Sequence, residues 1–506
     1  MTAPPMQRRD DVRRVAVVGA GISGVVSAAH LLRAGLEVVV FERNSEVGGI
    51  WIHTTETAIE TQYPCLRPED ADTELQGHGK VGDTERRRLL HAPPGPCYDS
   101  LRNNIDTPLM QTTLNAWPEG TPRVVSHPAV KDYIQETASK TGTCAITVFG
   151  ALVTRIEKHD SKWCVRWASL KEHDGTGSAV KDNFSIFDAI VVANGHYHAP
   201  LIPDIPGLAE AKSKYPARIK HSKWFRNNTG YKDKNVLLIG GGVSSTDIAR
   251  DIGRCARRIY QSTRGGMSDM PASVLPANAT RIAQVSAISM EAEDGPDAPF
   301  TIHPTRGLSI PGIDEIIVCT GYQFTLPFLP QYHDAQASPA AARDDTLFTD
   351  GGQLHNLHRD IFYIPDPTLT FVGVSVFTTT FPLFEFQAAA VAAFLSGVAR
   401  LAPEADLRRE YRERVARKGL GRYLHSLKEE EEEYVDGLVA WVNAGRARCG
   451  MVPMEGLTAT WRAEKQRIRE QIARLRAARA AERAAEVVNG VKAEEERGIR
   501  NEQKAF

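Results

Sequence analysis

The sequence has no cysteines at the spacings used for metal binding or for redox disulfides. Its seven cysteines are scattered, and none of them forms a C-x-x-C or C-x-x-x-x-C motif. They are Cys65, Cys97, Cys144, Cys164, Cys255, Cys319 and Cys449. This absence argues against a disulfide reductase, a zinc ribbon or other metal site, and a secreted disulfide-rich domain. Isolated cysteines also indicate a reducing compartment, so we predict a cytoplasmic protein.

The chain has no excess of charge of either sign, and we expect no signal peptide at its start. Its 506 residues carry a formal net charge of −1. Such a balance gives no reason to expect nucleic acid as a partner. Residues 1–11 are polar and lack the apolar core of a signal peptide. The length favours two or three lobes over one small domain.

An uninterrupted hydrophobic run is also missing. Residues 369–399 come closest, but three consecutive threonines, Pro382 and Gln387 interrupt them. We therefore predict a buried strand over 369–376, then a loop, then a buried helix that begins near Pro382. A membrane span in this segment is the alternative, and we expect no membrane anchor.

Near its start the chain does have a glycine-rich turn between a strand and a helix. Residues 15–18 are a short apolar run typical of a buried parallel strand. A G-x-G-x-x-G motif follows, formed by Gly19, Gly21 and Gly24. In such a motif the first glycine permits a tight turn, the second lets a pyrophosphate approach the backbone, and the third lets helix and strand pack closely. The N-terminus of the helix adds unpaired N–H groups and a positive dipole end.

The next strand supplies the acid that completes a dinucleotide-binding pattern. Residues 25–33 predict a helix that Gly35 ends, and residues 38–41 predict a second strand. That strand leads to Glu42, 23 residues after Gly19, where a carboxylate can hold ribose hydroxyls. Strand, helix, second strand and acid together predict a dinucleotide site. The alternative is a β-turn-α unit without a ligand.

A second glycine-rich turn between an apolar strand and a helix has the form G-x-G-x-x-S. Its residues are Gly240, Gly242 and Ser245. No acid stands at the end of the following strand; instead Arg264 lies 24 residues after Gly240. An arginine at this position suits a 2′-phosphate and so favours NADPH over NADH. A merely solvated arginine is the alternative.

Two strands that end in glycine-containing turns flank this second unit. Residues 186–193 lead into Asn194-Gly195-His196-Tyr197, and residues 314–319 lead into Thr320-Gly321-Tyr322. Two such hinges predict that the second unit is inserted in the first. We therefore predict an α/β fold of two nested Rossmann-like dinucleotide-binding domains with a helical C-terminal extension. The predicted boundaries are 12–203 and 322–450 for the split first domain, 204–321 for the inserted domain and 451–506 for the helical tail.

The remaining segments have weaker patterns. We predict a long loop over 65–97, a helix over 130–139, and strands over 146–156 and 163–167.

The C-terminal part is rich in charged residues, and we predict helices over 407–418, 423–443 and 461–488. The acidic run Glu429–Glu433 predicts a solvated helix face. In the last helix Ile468, Ile472 and Leu475 recur at helical spacing. That helix is expected either to dock on the body of the protein or to form a homo-oligomer with a second copy. We expect residues 497–506 to be frayed.

Taken together, these motifs resemble those of the flavin-containing monooxygenases, a family of enzymes that use FAD and NADPH. The resemblance covers roughly residues 12–450 and makes the split first domain the FAD-binding one and the inserted domain the NADPH-binding one. The positions that it assigns to FAD are Gly19, Gly21, Gly24, Glu42, Arg43, Gly49, Trp51, Val153 and Gln387. Those that it assigns to NADPH are Gly240, Gly242, Ser245 and Arg264.

The stretch between the two glycine motifs resembles the family's F-x-G-x-x-x-H-x-x-x-(F/Y). His221 and Phe225 match it, whereas Tyr215 and Ala217 replace the family's phenylalanine and glycine. The resemblance makes His221 a structural residue at the NADPH hinge, with direct proton transfer as the alternative. Related Baeyer–Villiger enzymes end this stretch in tryptophan followed by proline or aspartate. Here Arg226 follows Phe225, which favours the plain flavin monooxygenases.

Residues 98–110 resemble the family's Y-x-x-L-x-T-N-x-P stretch. The match assigns Asn104 as the catalytic asparagine, a hydrogen-bond donor near the flavin. Asn103 and Asp106 replace the family's threonine and proline. A structural asparagine in a loop is the alternative.

The activity that the resemblance implies is FAD- and NADPH-dependent monooxygenation. One oxygen atom of O2 would enter a small organic substrate through a flavin C4a-(hydro)peroxide, and N- or S-oxygenation is expected. The expected partners are therefore a small-molecule substrate and O2. Three alternatives stay open: Baeyer–Villiger oxidation of a ketone, N-hydroxylation of a primary amine, and a flavin-binding protein without catalysis.

Overall fold

The computed structural model describes residues 12–71, 84–171, 179–290, 295, 298–471, 473 and 474. The chain divides into two compact units, Met1–Met454 and Glu455–Phe506. All of the strands given below belong to the first unit.

Strands and helices alternate around the two glycine motifs, whereas elsewhere several strands or several helices follow one another. The helices are α1 Ile22–Arg33, α2 Pro68–Ala71, α3 Thr84–His91, α4 Thr107–Met110, α5 His127–Lys140, α6 Leu208–Lys214, α7 Val243–Ile252, α8 Thr380–Leu395, α9 Glu404–Lys418 and α10 Glu431–Arg448. Short 3-10 turns are Gly49–Trp51, Thr143–Ile146, Ser222–Trp224, Ala272–Val274, Pro330–Tyr332, Pro339–Ala341 and Arg422–His425. The strands are β1 Arg14–Val18, β2 Glu37–Phe41, β3 Thr147–Val148, β4 Ala151–His159, β5 Lys162–Lys171, β6 Ala179–Phe187, β7 Ala189–Val192, β8 Ala199–Pro200, β9 Ile219–His221, β10 Asn235–Ile239, β11 Arg258–Ser262, β12 Ala279–Ile282, β13 Val285–Ser289, β14 Phe300–Pro304, β15 Ile310–Ile313, β16 Glu315–Val318, β17 Tyr322–Gln323, β18 Leu357–His358, β19 Phe362–Tyr363 and β20 Leu369–Phe371.

The first sheet has seven strands in the order β18-β19-β20-β7-β1-β2-β3. Its centre is parallel, with β1 between β2 and β7 and with β20 beside β7. The central strands are apolar without alternation because both faces of this sheet are covered. On one face α1 packs against β1, β2 and α8. On the other, the antiparallel sheet β4-β5-β6 adds Trp163 and Phe187 to a core that includes Val18 and Phe41.

The second sheet has five parallel strands in the order β12-β11-β10-β16-β9. All of them lie between Ile219 and Val318, inside the stretch that separates β7 from β18. The two connections between the sheets pair with each other, because β8 and β17 are antiparallel neighbours. Sequence and register therefore nest the second parallel sheet within the first, while the boundaries drawn at 203 and 322 stay a prediction.

Several predicted elements differ from the observed ones. The predicted strand 146–156 is broken at Gly150, which has a φ of +62°. The predicted strand 186–193 covers the end of β6 and the whole of β7, which belong to different sheets. Asp188 separates them, and its carboxylate accepts the backbone N–H groups of Arg13 and Arg14, both at 2.8 Å.

Three further expectations need correction. The predicted loop 65–97 contains α2 and α3, and its residues 72–83 lie outside the described part of the chain. The predicted strand 369–376 ends at Phe371, and the buried helix begins at Thr380, close to the predicted start. The acidic run Glu429–Glu433 is not a purely solvated face. Glu431 is buried and accepts hydrogen bonds from the Thr379 N–H (2.6 Å) and from the Thr378 hydroxyl (2.5 Å).

No helix within the described residues is long and apolar enough to cross a membrane. In the second compact unit, residues 459–471 are helical. Ile472 and Leu475, which carried the prediction of a docking or oligomerising face, lie outside the described residues, as do residues 1–11 and 497–506.

Candidate active site

The first glycine motif joins β1 to α1 in a turn that only glycine allows. Gly19 has a φ of +102°, and a Cβ there would stand 2.6 Å from the carbonyl oxygen of Ala193 on the neighbouring segment. A Cβ on Gly24 would stand 1.8 Å from the carbonyl oxygen of Gly19. The predicted roles of these two glycines in the turn and in close packing are therefore confirmed in their geometry.

A second loop crosses the middle of this motif. The Gly48 N–H donates to the carbonyl of Ala20 at 3.2 Å, and a Cβ on Gly49 would lie 2.9 Å from the Cα of Gly21. Gly21 is the N-cap of α1 and offers no side chain to the first-turn N–H groups. A backbone cradle of this kind, at an uncapped helix N-terminus, fits the pyrophosphate of FAD.

Glu42 has a structural task that its position in the sequence did not reveal. Its carboxylate is buried and accepts the Ala20 N–H at 2.7 Å. It also accepts the backbone N–H and the side-chain amide of Asn44, both at 2.8 Å. Glu42 thus holds the glycine loop in place, and its carboxylate oxygens keep lone pairs for ribose hydroxyls. The next residue, Arg43, is half-buried, and its Nη2 lies 3.2 Å from Nδ1 of His198.

The other positions assigned to FAD lie further inside the protein. Trp51 is half-buried at the end of its 3-10 turn, and Val153 belongs to the core beneath the first sheet. Gln387 is fully buried on α8. Its amide accepts the Gly373 N–H at 3.1 Å and donates to the hydroxyl of Tyr434 at 2.9 Å. Gln387 therefore fixes the backbone after β20, and its binding of FAD stays a prediction.

The second glycine motif is built like the first. Gly240 has a φ of +126°, and a Cβ there would lie 2.3 Å from the carbonyl oxygen of Cys319. Gly242 is the N-cap of α7, again without a side-chain cap. Ser245 replaces the third glycine without crowding, because its hydroxyl is buried and donates to the Gly242 carbonyl at 3.0 Å. Arg264 lies just beyond β11 with an exposed side chain, and its contact with a 2′-phosphate stays a prediction.

His221 fastens the hinge between the two sheets. It ends β9 and is completely buried. Its Nδ1 accepts the Lys223 N–H at 3.1 Å, so Nε2 carries the proton and donates to the carbonyl of Gly321, also at 3.1 Å. Burial, helped by the nearby Lys223, lowers the pKa of His221 to about 3. A neutral ring with both nitrogens used inside the chain suits a structural role and does not suit proton transfer.

The residues after His221 are also occupied within the protein. Phe225 is buried in a core with Tyr98, and the Trp224 indole N–H donates to the carbonyl of Ala58 at 2.6 Å. Arg226 donates to the carbonyls of Glu56 and Lys223, among others. Its guanidinium therefore stabilises the hinge by hydrogen bonds to several backbone carbonyls.

The segment 98–104 lies between the two nucleotide-binding units. The Ser100 hydroxyl donates to Asp251 on α7 at 2.8 Å, while Asp99 lies 2.8 Å from Nε2 of His53, just after the Gly49–Trp51 turn. The two asparagines that follow have different environments. Asn103 is buried and bonds to Ile105, Arg123 and Val125, whereas Asn104 is exposed. Asn103 therefore has a structural role, whereas the side chain of Asn104 is exposed and its contact with the flavin stays a prediction.

One residue near the site was not singled out by its sequence context. His196, in the turn after β7, lines a cavity at the carboxyl end of the first sheet. In the sequence, only the glycine-containing turn after the strand pointed to this position. Within the described residues, no group of three or more His, Cys, Asp or Glu side chains could hold a metal ion.

Comparison with known proteins identifies the family. A family model described as flavin-binding monooxygenase-like matches residues 95–275, and one described as an NAD(P)-binding Rossmann-like domain matches residues 17–64. The flavin-containing monooxygenase ustF2 of Aspergillus flavus is 42% identical, over 90% of this chain and 97% of its own length. The chain belongs to the flavin-containing monooxygenases. The monooxygenase ustF1 of the same organism is 43% identical, over 89% of this chain and 88% of its own length.

Solved structures agree with this assignment. S-allyl-L-cysteine S-oxygenase from Allium sativum superposes with a TM-score of 0.64 and 25% identity, covering 88% of this chain and 90% of that one. Tmm from Pelagibacter sp. strain HTCC7211, at 18% identity, shares the fold with a TM-score of 0.63 over 86% of each chain. This flavin-containing monooxygenase is thus an oxidoreductase with FAD and NADPH as its cofactors.

Proposed function

We propose that this flavin-containing monooxygenase oxygenates the sulfur or nitrogen atom of a small organic substrate, with thioethers as the first class to test. The observation that carries the proposal is the likeness to S-allyl-L-cysteine S-oxygenase, which extends over 88% of this chain. In the balanced reaction, NADPH, a proton, O2 and a thioether give NADP⁺, water and a sulfoxide. One oxygen atom enters the substrate and the other leaves as water.

The two glycine motifs are the proposed cofactor sites. The cradle of Gly21 and Gly49 would hold the FAD pyrophosphate, and Glu42 would hold the ribose of its adenosine. The N-terminus of α7, beginning at Gly242, would hold the NADPH pyrophosphate, and Arg264 would bind the 2′-phosphate. Bound FAD, once reduced by NADPH, supplies the activation of O2.

The remaining roles belong to the protein itself. Asn104, exposed at the end of a segment that contacts both units, would donate its amide N–H to the cofactors or to the activated oxygen. His221 would keep the hinge strands at their spacing through its bond to Gly321. In this scheme Asn104 is the catalytic residue and His221 a positioning residue.

The test is a comparison of substrate classes with the FAD-loaded enzyme. The panel contains S-allyl-L-cysteine, N,N-dimethylaniline, a primary amine and cyclohexanone, each with NADPH under ¹⁸O2. We expect one ¹⁸O atom in a sulfoxide or an N-oxide, and product formed in proportion to the NADPH consumed. Ester formation from the ketone with no sulfoxide or N-oxide would contradict the proposal. So would NADPH oxidation that yields only hydrogen peroxide with every compound.

A further inference from the structure

The loop between β20 and α8 carries an exposed aromatic ring on strained backbone. Phe377 has a φ of +56° and is 44% exposed. Bulky side chains rarely adopt this left-handed conformation, and an exposed ring gains little from burial. The other non-glycine residues with positive φ in the described part of the chain are polar or charged, namely Asp160, Asp233, Asn356, Arg359, Asp360 and Glu429. Strain of this kind concentrates at ligand-binding positions, where the surrounding structure maintains it.

Hydrogen bonds fix the chain on both sides of Phe377. Before it, the Val376 N–H donates to the carbonyl of His425 at 2.9 Å. After it, the Thr379 N–H donates to the buried carboxylate of Glu431 at 2.6 Å. These two contacts come from separate elements, the 3-10 turn that ends at His425 and the helix α10. The backbone conformation of Phe377 is therefore set by the fold.

A second aromatic ring supports the first. The ring of Tyr423 lies nearly parallel to that of Phe377, with 5.9 Å between the centroids and 9° between the planes. This is the offset stacking that aromatic pairs prefer. The hydroxyl of Tyr423 lies 2.9 Å from that of Ser268, which ties the pair to the loop after β11. We call Phe377 and Tyr423 the aromatic platform.

The aromatic platform lies where the two nucleotide-binding units meet. Ser268 adjoins the second glycine motif, because its carbonyl oxygen would lie 3.8 Å from a Cβ on Gly242, the N-cap of α7. Phe377 follows a segment that adjoins the first unit's helix, since a Cβ on Gly373 would lie 2.5 Å from the hydroxyl of Ser23 in the first turn of α1. The platform is thus joined to segments beside both proposed cofactor sites. A substrate that reacts between the two cofactors has to bind near such a junction.

The sequence neighbours of this junction are apolar and exposed. Met267, Val243 and Leu420 flank Ser268, Gly242 and the turn of the platform, and they are 71%, 41% and 42% exposed. Such side chains favour an apolar ligand over a charged one. A flat aromatic group gains more than a puckered ring of the same size, because only the flat group can stack on the platform.

We propose that Phe377, supported by Tyr423, is a specificity-determining residue that stacks on a flat aromatic group of the substrate. The inference rests on the proposed S- or N-oxygenation and narrows its substrates to thioethers and amines with an aryl group beside the reacting atom. It also gives a reason for a bulky residue at a position where glycine would meet no backbone strain.

Two variants and a matched control test this. Phe377→Leu keeps an apolar side chain and removes the flat ring, whereas Phe377→Tyr keeps the ring. The control is Phe184→Leu, because Phe184 on β6 is also exposed, at 65%, but is not among the residues with positive φ. The probes are methyl phenyl sulfide and cyclohexyl methyl sulfide, which differ mainly in the flatness of the ring. The readouts on the FAD-loaded enzyme are the Kd of NADP⁺, the Kd of each sulfide at saturating NADP⁺, and the unfolding temperature.

We expect the wild type to bind methyl phenyl sulfide about threefold to tenfold more tightly than cyclohexyl methyl sulfide, the effect of one stacked aromatic pair. Phe377→Leu should reduce this ratio to about one, whereas Phe377→Tyr and Phe184→Leu should keep the wild-type ratio. The Kd of NADP⁺ should stay unchanged in all three variants. The unfolding temperature of Phe377→Leu should match the wild type, because leucine meets the same backbone strain and the same exposure.

A wild-type ratio of about one, or a ratio that Phe377→Leu leaves unchanged, would overturn the proposal. A loss of NADP⁺ affinity in Phe377→Leu by the same factor would also overturn it, because it would assign the ring to the nicotinamide cofactor. Binding is measured without turnover, so this outcome is separate from that of the oxygenation assay. Methyl phenyl sulfide that binds through Phe377 but yields no sulfoxide would contradict the proposed function alone.

Discussion

Replacing Arg414 with methionine removes the cation that neutralises a buried carboxylate. Asp360, in the turn between β18 and β19, is 1% exposed. Its two carboxylate oxygens accept hydrogen bonds from Nη1 and Nη2 of Arg414 on α9, both at 2.7 Å. One oxygen also accepts Nδ1–H of His425 at 2.8 Å, while Nε2 of that ring accepts the Leu354 N–H. This cluster joins α9 and the 3-10 turn at Arg422–His425 to the edge of the first sheet.

The burial of the Arg414–Asp360 pair determines how much stability the substitution removes. The side chains of Arg414 and Asp360 are 13% and 2% exposed, so water screens the pair weakly. Removing one partner of a buried ion pair costs about 3–5 kcal/mol because the other charge stays behind. We therefore expect Arg414→Met to lower the free energy of unfolding by about 3–5 kcal/mol at pH 7. Asp360→Asn combined with Arg414→Met should cost less than Arg414→Met alone, since it buries no unpaired charge.

The effect has a defined pH dependence. Burial raises the pKa of Asp360, but Arg414 and His425 outweigh it and hold that pKa well below its usual range. A depressed carboxyl pKa contributes stability that is present above the unfolded value near 4 and is lost as pH falls through the native value. In Arg414→Met the cation that lowers the pKa of Asp360 is gone, while burial still raises it, so this pKa rises. The difference in stability between wild type and variant should therefore be largest at neutral pH and shrink in acid.

Urea unfolding at saturating FAD, at pH 7 and at pH 5, measures these differences. The matched control is Arg412→Met, on the same helix, whose partner Asp344 is exposed. An exposed pair of this kind contributes little, so we expect no measurable change. A loss below about 1 kcal/mol for Arg414→Met, or an equal loss for Arg412→Met, would refute the reasoning.

Three further predictions concern the nucleotide sites and the active-site loop. Gly24→Ala should be purified without FAD, because its Cβ would lie 1.8 Å from the carbonyl oxygen of Gly19. The control Gly95→Ala, whose Cβ would have nothing within 4 Å, should bind FAD normally. The ratio of flavin absorbance to protein absorbance measures the bound FAD in each variant. Arg264→Ser should raise the KM for NADPH about tenfold or more and leave the KM for NADH unchanged. If both KM values changed by the same factor, a contact with the 2′-phosphate would be excluded. Asn104→Ala should lower kcat at unchanged unfolding temperature. Asn103→Ala should lower the unfolding temperature, since it removes three internal hydrogen bonds, and equal temperatures for both variants would contradict the assignment.

The glycine motifs were accessible from sequence because their constraint is local. A strand, a turn at positive φ and a helix follow one another directly, so Gly19 and Gly240 could be placed without tertiary information. The nested arrangement was predictable for a related reason. Two strands with similar glycine exits flank the second unit, and parallel strands need such crossovers to join one sheet.

Element boundaries were less predictable where two sheets share one apolar run. Residues 186–193 look continuous, yet Asp188 turns the chain from β6 into β7. The acidic run was misjudged because charge alone predicts solvent. Glu431 is buried only because α10 brings it to the N-terminus of α8, where threonine hydroxyls and a backbone N–H meet it.

The sequence by itself determined two dinucleotide-binding units and their order, because each depends on residues close together in the chain, while the resemblance to the family assigned FAD to the first unit. The tertiary structure alone decided which polar side chains are available and which are already used. It exposed Asn104 while burying Asn103, and it occupied Gln387 and His221 inside the protein. The physical reason is that hydrogen-bond satisfaction in a folded chain depends on segments far apart in sequence, such as His221 and Gly321, which are 100 residues apart. No local sequence pattern records such a pairing.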